Sequence, residues 1–347
     1  MDYSLLQQHT VKIYHLENRR CVLKRMPARS LLVPQRFDLF AKLFYIGHVD
    51  EDPSSALKVY KEHIKAFNPD EKEPGRVEKN SVEDFVAAFN AIIADFRYRD
   101  FDDTISIVPV DKNGVILDGA HRVSALAFFD REVTVAQFSD VKAKCDFDYQ
   151  YFMKRGLSLS LCDMIAHEMV RWLDNMLVAC LWPRLGNNAA KRNASLLLAK
   201  THTISYEKRM SVNLKSLSIF VGEIYKAQPW TLNKESVRDK AIRVMGRNNR
   251  TVWFVFFENK GKLEDIIQEK NEMRDMYGCD KDSLHITDNI EETRQIAQLT
   301  LSPDCVSRWN DSTPGELSTR ISEKFHYFKN VTWMNLKTKV WNLIHAR

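Results

Sequence analysis

The sequence predicts an α/β protein in two domains. An α+β N-terminal domain covers residues 1–155, and a helical linker then leads into a second α/β domain within 156–347. Three observations carry this reading. An apolar run, Ile105 to Val110, passes through a Lys112-Asn113-Gly114 turn and a second run, Val115 to Leu117. It then meets a Gly-bearing corner, Asp118-Gly119-Ala120-His121-Arg122, and a helix-like segment, Val123 to Phe129. Far downstream, strand-like and helix-like runs alternate again from Thr251 to Leu299. Between the two, Gly156 to Leu161 reads as a hinge ahead of a long helical stretch.

The elements follow in order. Residues 1–30 read as one or two strands, with a hairpin over Leu16-Glu17-Asn18-Arg19. Apolar residues at 37, 40, 41, 44 and 45 form a helical stripe, with Arg36, Asp38 and Lys42 off it. Ser55 to Phe67 is a second helix with Leu57, Tyr60, Ile64 and Phe67 on one face. Pro69 to Lys79 is a polar loop, and Ser81-Val82-Glu83-Asp84 resembles a capping box ahead of a helix over Phe85 to Phe96. The strand–turn–strand–corner–helix unit comes next, then a strand from Val133 to Phe138.

The second half has its own pattern. A helix is expected from about Cys162 to Leu181, stopped by Pro183. Thr251 to Phe257 is an apolar strand, Lys262 to Met276 a helix, Ser283 to Thr287 a strand, and Asp288 to Glu292 opens a helix reaching Leu299. This β-α-β-α order favours a parallel sheet. Pro314 to Arg347 is read as helical and aromatic-rich with a basic tail.

Composition narrows the class. A chain of 347 residues can bury one large core or two medium ones. The 51 basic and 46 acidic residues leave a formal charge of +5, which suits an anionic substrate without demanding nucleic acid. Cys21, Cys145, Cys162, Cys180, Cys279 and Cys305 form no CxxC pair, so neither a zinc site nor a disulfide framework is expected. The N-terminus lacks an apolar signal core, and the most apolar stretch, Trp172 to Trp182, is short and carries Asp174 and Asn175. A cytoplasmic protein with no transmembrane segment is expected.

The corner at 118–122 is where the chemistry concentrates. A helix N-terminus carries partial positive charge and unpaired N–H donors, so phosphate is the expected guest. Gly119 lets backbone approach the phosphates, with Ala120 beside it. His121 and Arg122 add side-chain donors, Arg122 with bidentate capacity. Asp118 is placed to hold Mg²⁺, to act as base, or to cap the helix. The bland alternative is a turn followed by a solvated helix start.

The stretch ILDGAHRVSAL resembles the phosphate-binding corner of the ParB/sulfiredoxin superfamily, which includes partition proteins, sulfiredoxins and free serine kinases. The DG-x-HR spelling is closer to the small-molecule kinase branch than to the partition branch, whose corner is usually Arg-rich. The close match is confined to the corner and its flanks; the domain-level likeness extends over residues 30–145. The resemblance implies a ParB/sulfiredoxin-like nucleotide-binding domain with phosphates held at 118–122. Two departures matter. Ala120 stands where sulfiredoxins carry a catalytic cysteine, which argues against sulfinic-acid repair. A long helix and α/β pattern follow where a partition protein has its helix-turn-helix. The phrases RFDLFAKLFYIGH, DGAHRVSAL and SLHITDNIEET are also similar to proteins of bacterial surface-polysaccharide gene clusters.

Other candidates are weighed in the same way. On the family phrase, Arg36 and Lys42 form a second wall of the phosphate site with Asp38 as a base. On spacing alone, Asp38 and Lys42 are a surface ion pair. Lys281, His285 and Asp288 are substrate-binding candidates beyond the carboxyl end of a parallel strand; the alternatives are a satisfied core histidine and an N-capping Asp288. Tyr206 to Arg209 and Arg243 to Arg250 are basic clusters expected on solvated faces, and Trp230, Trp253, Trp309 and Trp333 are expected in the core.

The leading expectation is a kinase. It uses ATP or another nucleoside triphosphate with Mg²⁺ to phosphorylate a hydroxyl of a small molecule such as a sugar, in surface-polysaccharide biosynthesis. One alternative is a CTP- or ATP-gated switch of the partition type acting on DNA or protein. Another is a glycosyl- or phosphoglycosyl-type transferase centred on the second α/β half.

Overall fold

The computed structural model describes residues 2–72, 79–246 and 249–302. These divide into two compact units, residues 2–168 and 169–302. The class is mixed α/β. The expected helix over Pro314 to Arg347, together with Cys305, Trp309 and Trp333, lies outside the described residues. Among the described residues, no helix is long and apolar enough to cross a membrane.

The first unit contains α1 (Gln8–Tyr14), β1 (Cys21–Pro27), α2 (Phe37–His48), α3 (Pro53–Phe67), α4 (Val82–Tyr98) and β2 (Val108–Val110). It continues with α5 (Ala120–Phe128), β3 (Glu132–Phe138), α6 (Tyr149–Lys154) and the start of α7 (Leu159–Trp172). The sheet order is β1-β3-β2, with β1 antiparallel and β2 parallel to β3. β2, α5 and β3 therefore form a parallel crossover, and the corner at 118–122 follows the carboxyl end of β2.

The N-terminal hairpin is a correction. Residues 8–14 are helical, and Leu16–Asn18 is a 3-10 turn after His15, whose φ of 51° ends α1. Leu6, Val11 and Leu16 pack with Ile107, Phe138 and Val141, so tertiary burial decides the conformation of a segment with weak local preference.

The second strand before the corner is also corrected. Val115 to Leu117 contributes one bridge, Ile116 to Val110, and no strand. Asp111 organises this loop. Its Oδ1 accepts from the Asn113 and Val115 amides at 2.8 and 2.9 Å, and its Oδ2 from the Ala143 amide at 3.1 Å. Gly114 supplies the positive φ (83°) that the turn requires.

Helix α2 is buried all round, from Phe37 through Ile46, and packs on α3 and α5. In α3 the buried face is Ala56, Val59, Tyr60, His63 and Ile64, while Leu57 and Phe67 lie at its border. Ser81 caps α4 by accepting from the Asp84 amide at 3.2 Å, but Asp84 returns its bond to the Asn80 amide rather than to Ser81.

The second unit holds the end of α7, β4 (Met176–Leu181), α8 (Asn188–Thr201), β5 (Thr203–Ser211), α9 (Leu214–Ile224) and α10 (Lys234–Val244). After these come β6 (Thr251–Glu258), α11 (Leu263–Tyr277), β7 (Leu284–Ile286) and α12 (Ile290–Leu301). The helix expected over Cys162 to Leu181 is thus a helix to Trp172 and then a strand. The order is β5-β6-β4-β7, and every pairing is antiparallel, which overturns the expected parallel sheet. Leu177, Ala179, Trp253, Val255 and Phe257 face α8 and α11. On the other face Phe254 meets Phe220 of α9 at 5.2 Å between ring centroids, and α12 packs on β4. Strands covered on both faces are apolar throughout, whichever way their neighbours run.

Candidate functional sites

In the first unit, α5 begins at Gly119, whose φ of 87° lies in the left-handed region, and no side chain caps the helix. The N-capping role considered for Asp118 is therefore not taken. A Cβ on Gly119 would lie 3.1 Å from Arg122 Nη2 and 3.2 Å from Val108 Cγ2, so backbone, guanidinium and strand meet at a point only glycine fits. Arg122 Nη2 donates to Asp118 Oδ2 at 3.3 Å, and both side chains remain partly exposed at the corner.

Behind the corner lies a buried ionic cluster. Arg36 grips Asp38 with two bonds, Nε to Oδ1 at 2.8 Å and Nη2 to Oδ2 at 2.9 Å. Its Nη1 donates to the Ile116 carbonyl at 2.5 Å, two residues before Asp118. Lys42 Nζ donates to Asp38 Oδ2 at 3.2 Å. All three residues are buried, so the surface-pair alternative is excluded. Burial opposes ionisation of Asp38, but Arg36 and Lys42 outweigh it and hold its carboxyl well below the usual range. With its oxygens bonded to two cations, Asp38 is built to fix Arg36 rather than to take a proton, against the base role expected for it.

His121 Nε2 lies 2.8 Å from the Tyr60 hydroxyl, which donates to the Phe85 carbonyl at 3.2 Å. Burial, aided by Lys42 and Lys79, pushes the ring well below the ordinary histidine value and keeps it neutral.

Sequence reasoning missed His63 and Lys79. His63 is fully buried with neither ring nitrogen bonded, lying 5.0 Å from the Phe152 ring and within the field of Lys42 and Asp38. Its position on the buried face of α3 was the available signal.

The second unit carries a separate cavity of about 860 Å³. Lys281, His285 and Asp288 all line it. His285 Nε2 bonds Glu292 Oε1 at 2.9 Å, so it is both satisfied and cavity-facing. Asp288 pairs with Lys270 at 2.5 Å, and the cap of α12 is Asn289, not Asp288. Trp230 lines this cavity beside Tyr225 instead of sitting in the core. Trp253 is buried, with Arg209 stacked 3.7 Å above its ring, and Glu207 accepts from Ser195 at 2.6 Å, so the cluster at 206–209 is structural.

The structure thus brings Arg36, Asp38, Lys42 and residues 118–122 together in one unit, and Lys281, His285 and Asp288 together in the other. No known protein family, curated protein or solved structure matches the chain. Among the described residues no group of three or more His, Cys, Asp and Glu side chains is placed to hold a metal ion. Asp118 is nevertheless a partly exposed carboxylate at the start of α5. A Mg²⁺ bound chiefly through phosphate oxygens and water requires no more than one or two carboxylates, so Asp118 fits that role.

Proposed function

We propose that the protein is a phosphotransferase that handles a nucleoside triphosphate at residues 118–122 and phosphorylates a hydroxyl of a small metabolite such as a sugar. The observation that carries this reading is the start of α5: a left-handed Gly119, no capping side chain, and Arg122 folded back over the glycine. Backbone N–H groups, the positive end of the helix and a guanidinium converge there, which is the chemistry a transferring phosphoryl group needs.

Each residue has a role in this reading. The amides of Ala120 and His121 cradle phosphate oxygens, and Arg122 neutralises charge that builds on them. Arg36, fixed by Asp38, holds the Ile116 carbonyl and so positions the loop that carries Asp118. Mg²⁺ bound with Asp118 would supply further charge neutralisation. The acceptor hydroxyl loses its proton to His121 or Asp118. Its oxygen bonds to the γ-phosphorus as the bond to the β–γ bridging oxygen breaks, and a nucleoside diphosphate leaves.

The test is nucleotide turnover with Mg²⁺ by the full chain and by Arg122→Ala, with circular dichroism as a control for folding. Loss of turnover in a folded variant supports the assignment; undiminished turnover refutes it. Nucleotide-dependent DNA retardation at low salt, with no turnover, would favour the gated-switch reading instead.

A further inference from the structure

The cavity in residues 169–302 has a lining unlike that of the phosphate corner, and its chemistry can be read independently. Its volume of about 860 Å³ suits a small molecule. Most of its charged groups already have partners. Lys240 donates to Asp282 at 2.7 Å and to the Lys281 carbonyl at 2.9 Å, Arg243 pairs with Asp282 at 3.3 Å, and Lys270 pairs with Asp288.

Two cations are left over. The Arg274 Nε is buried with no acceptor, and its Nη1 reaches only Asn271, at 3.4 Å. Lys281 has no side-chain partner among the described residues, although its carbonyl is used. Arg274 and Lys281 both line the cavity with no carboxylate partner among the described residues, so an anionic group of a ligand can satisfy them.

The rest of the lining limits how much charge that ligand carries. Asp239 and Glu291 also border the cavity and have no cation partner among the described residues. They repel a polyanion such as a nucleoside triphosphate, and as acceptors they suit hydroxyl groups. Tyr225 and Trp230 stand at one side, ring centroids 5.5 Å apart, and offer an apolar surface for a ring's C–H face.

We infer that this cavity binds a polyhydroxylated ring bearing a single acidic group, either a sugar phosphate or a sugar acid, with Arg274 and Lys281 on the acidic group and Asp239 and Glu291 on hydroxyls. The inference does not rest on the phosphotransferase reading, so absence of nucleotide turnover leaves it standing.

Isothermal titration calorimetry on the full chain tests it, with glucose 6-phosphate, glucuronate, glucose and inorganic phosphate as probes. Saturable binding of glucose 6-phosphate or glucuronate is expected, at least about tenfold tighter than that of glucose or inorganic phosphate. The stronger of the two identifies the acidic group. Arg274→Gln and Lys281→Gln are each expected to weaken it about tenfold or more. Lys281 is exposed, so its replacement leaves the fold intact even if Arg274→Gln does not. No saturable binding of either acidic sugar, equal affinity for inorganic phosphate, or binding indifferent to Lys281→Gln would overturn the inference.

Discussion

Arg36 and Asp38 are bound to each other by two parallel hydrogen bonds, of 2.8 and 2.9 Å, inside the protein rather than on its surface. The pair sits at the start of α2, and the third arm of the guanidinium reaches the Ile116 carbonyl. It joins a buried helix to the loop that leads into the corner at 118–122. Removing the carboxylate leaves Arg36 and Lys42 buried without compensation. Asp38→Ala should therefore cost about 3–5 kcal/mol, read from urea denaturation midpoints. Replacing Arg36 and Asp38 together by apolar residues should cost less than the sum of the single changes, because no charge is then stranded.

Gly119→Ala tests the corner itself. A side chain at φ 87° costs roughly 1–2 kcal/mol from backbone strain alone. The new methyl would also press on Arg122 Nη2 and Val108 Cγ2. Thermal unfolding should report the lost stability, and nucleotide binding by calorimetry should weaken beyond what the stability change explains.

Asp111 holds the loop between β2 and the corner through three amide donors. Asp111→Ala should lose at least about 1.5–3 kcal/mol, since these are hydrogen bonds to a charged group in a buried setting. Asp111→Asn keeps one acceptor oxygen and should fall between it and the native chain. Chemical denaturation of the three proteins gives the order.

His63, which is buried, and His121, which is half-buried, predict a pH dependence. Burial pushes both His63 and His121 well below the ordinary imidazole value, so the folded state keeps them neutral while the unfolded chain protonates them. The unfolded state then binds more protons below about pH 6.5. Stability is fully present above that pH and declines as the pH falls through it towards the lowered folded-state values. His63→Leu should flatten the decline between pH 7.5 and 5 and be neutral or stabilising at pH 7.5, because it removes a ring with no hydrogen-bond partner. Denaturation midpoints at the two pH values decide it.

Several elements were legible from residue pattern because their signals are local. The stripe at 37, 40, 41, 44 and 45 is α2, the Ser81 cap starts α4, and the run Thr251 to Phe257 is a strand. The Asp-Gly corner opening a helix is likewise a matter of neighbouring residues, with glycine needed at positive φ. Helix periodicity, capping and turn chemistry act over a few residues, and a single sequence displays them directly.

What the tertiary structure alone decided is pairing and burial. The apolar run at Thr251 to Phe257 marks two-sided cover but carries no information about strand direction, so an antiparallel sheet reads like a parallel one. Met176 to Leu181 became a strand because β6 and β7 flank it. Arg36, Asp38 and Lys42 read as a surface pair or as a wall of the expected phosphate site, since spacing along a helix does not say what packs over it. His63 and Tyr60 joined the residues around the 118–122 corner, and Trp230 and Arg274 the second cavity, through contacts between residues distant in sequence. Local chemistry is written into neighbouring residues; the company each side chain keeps depends on how remote segments fold together.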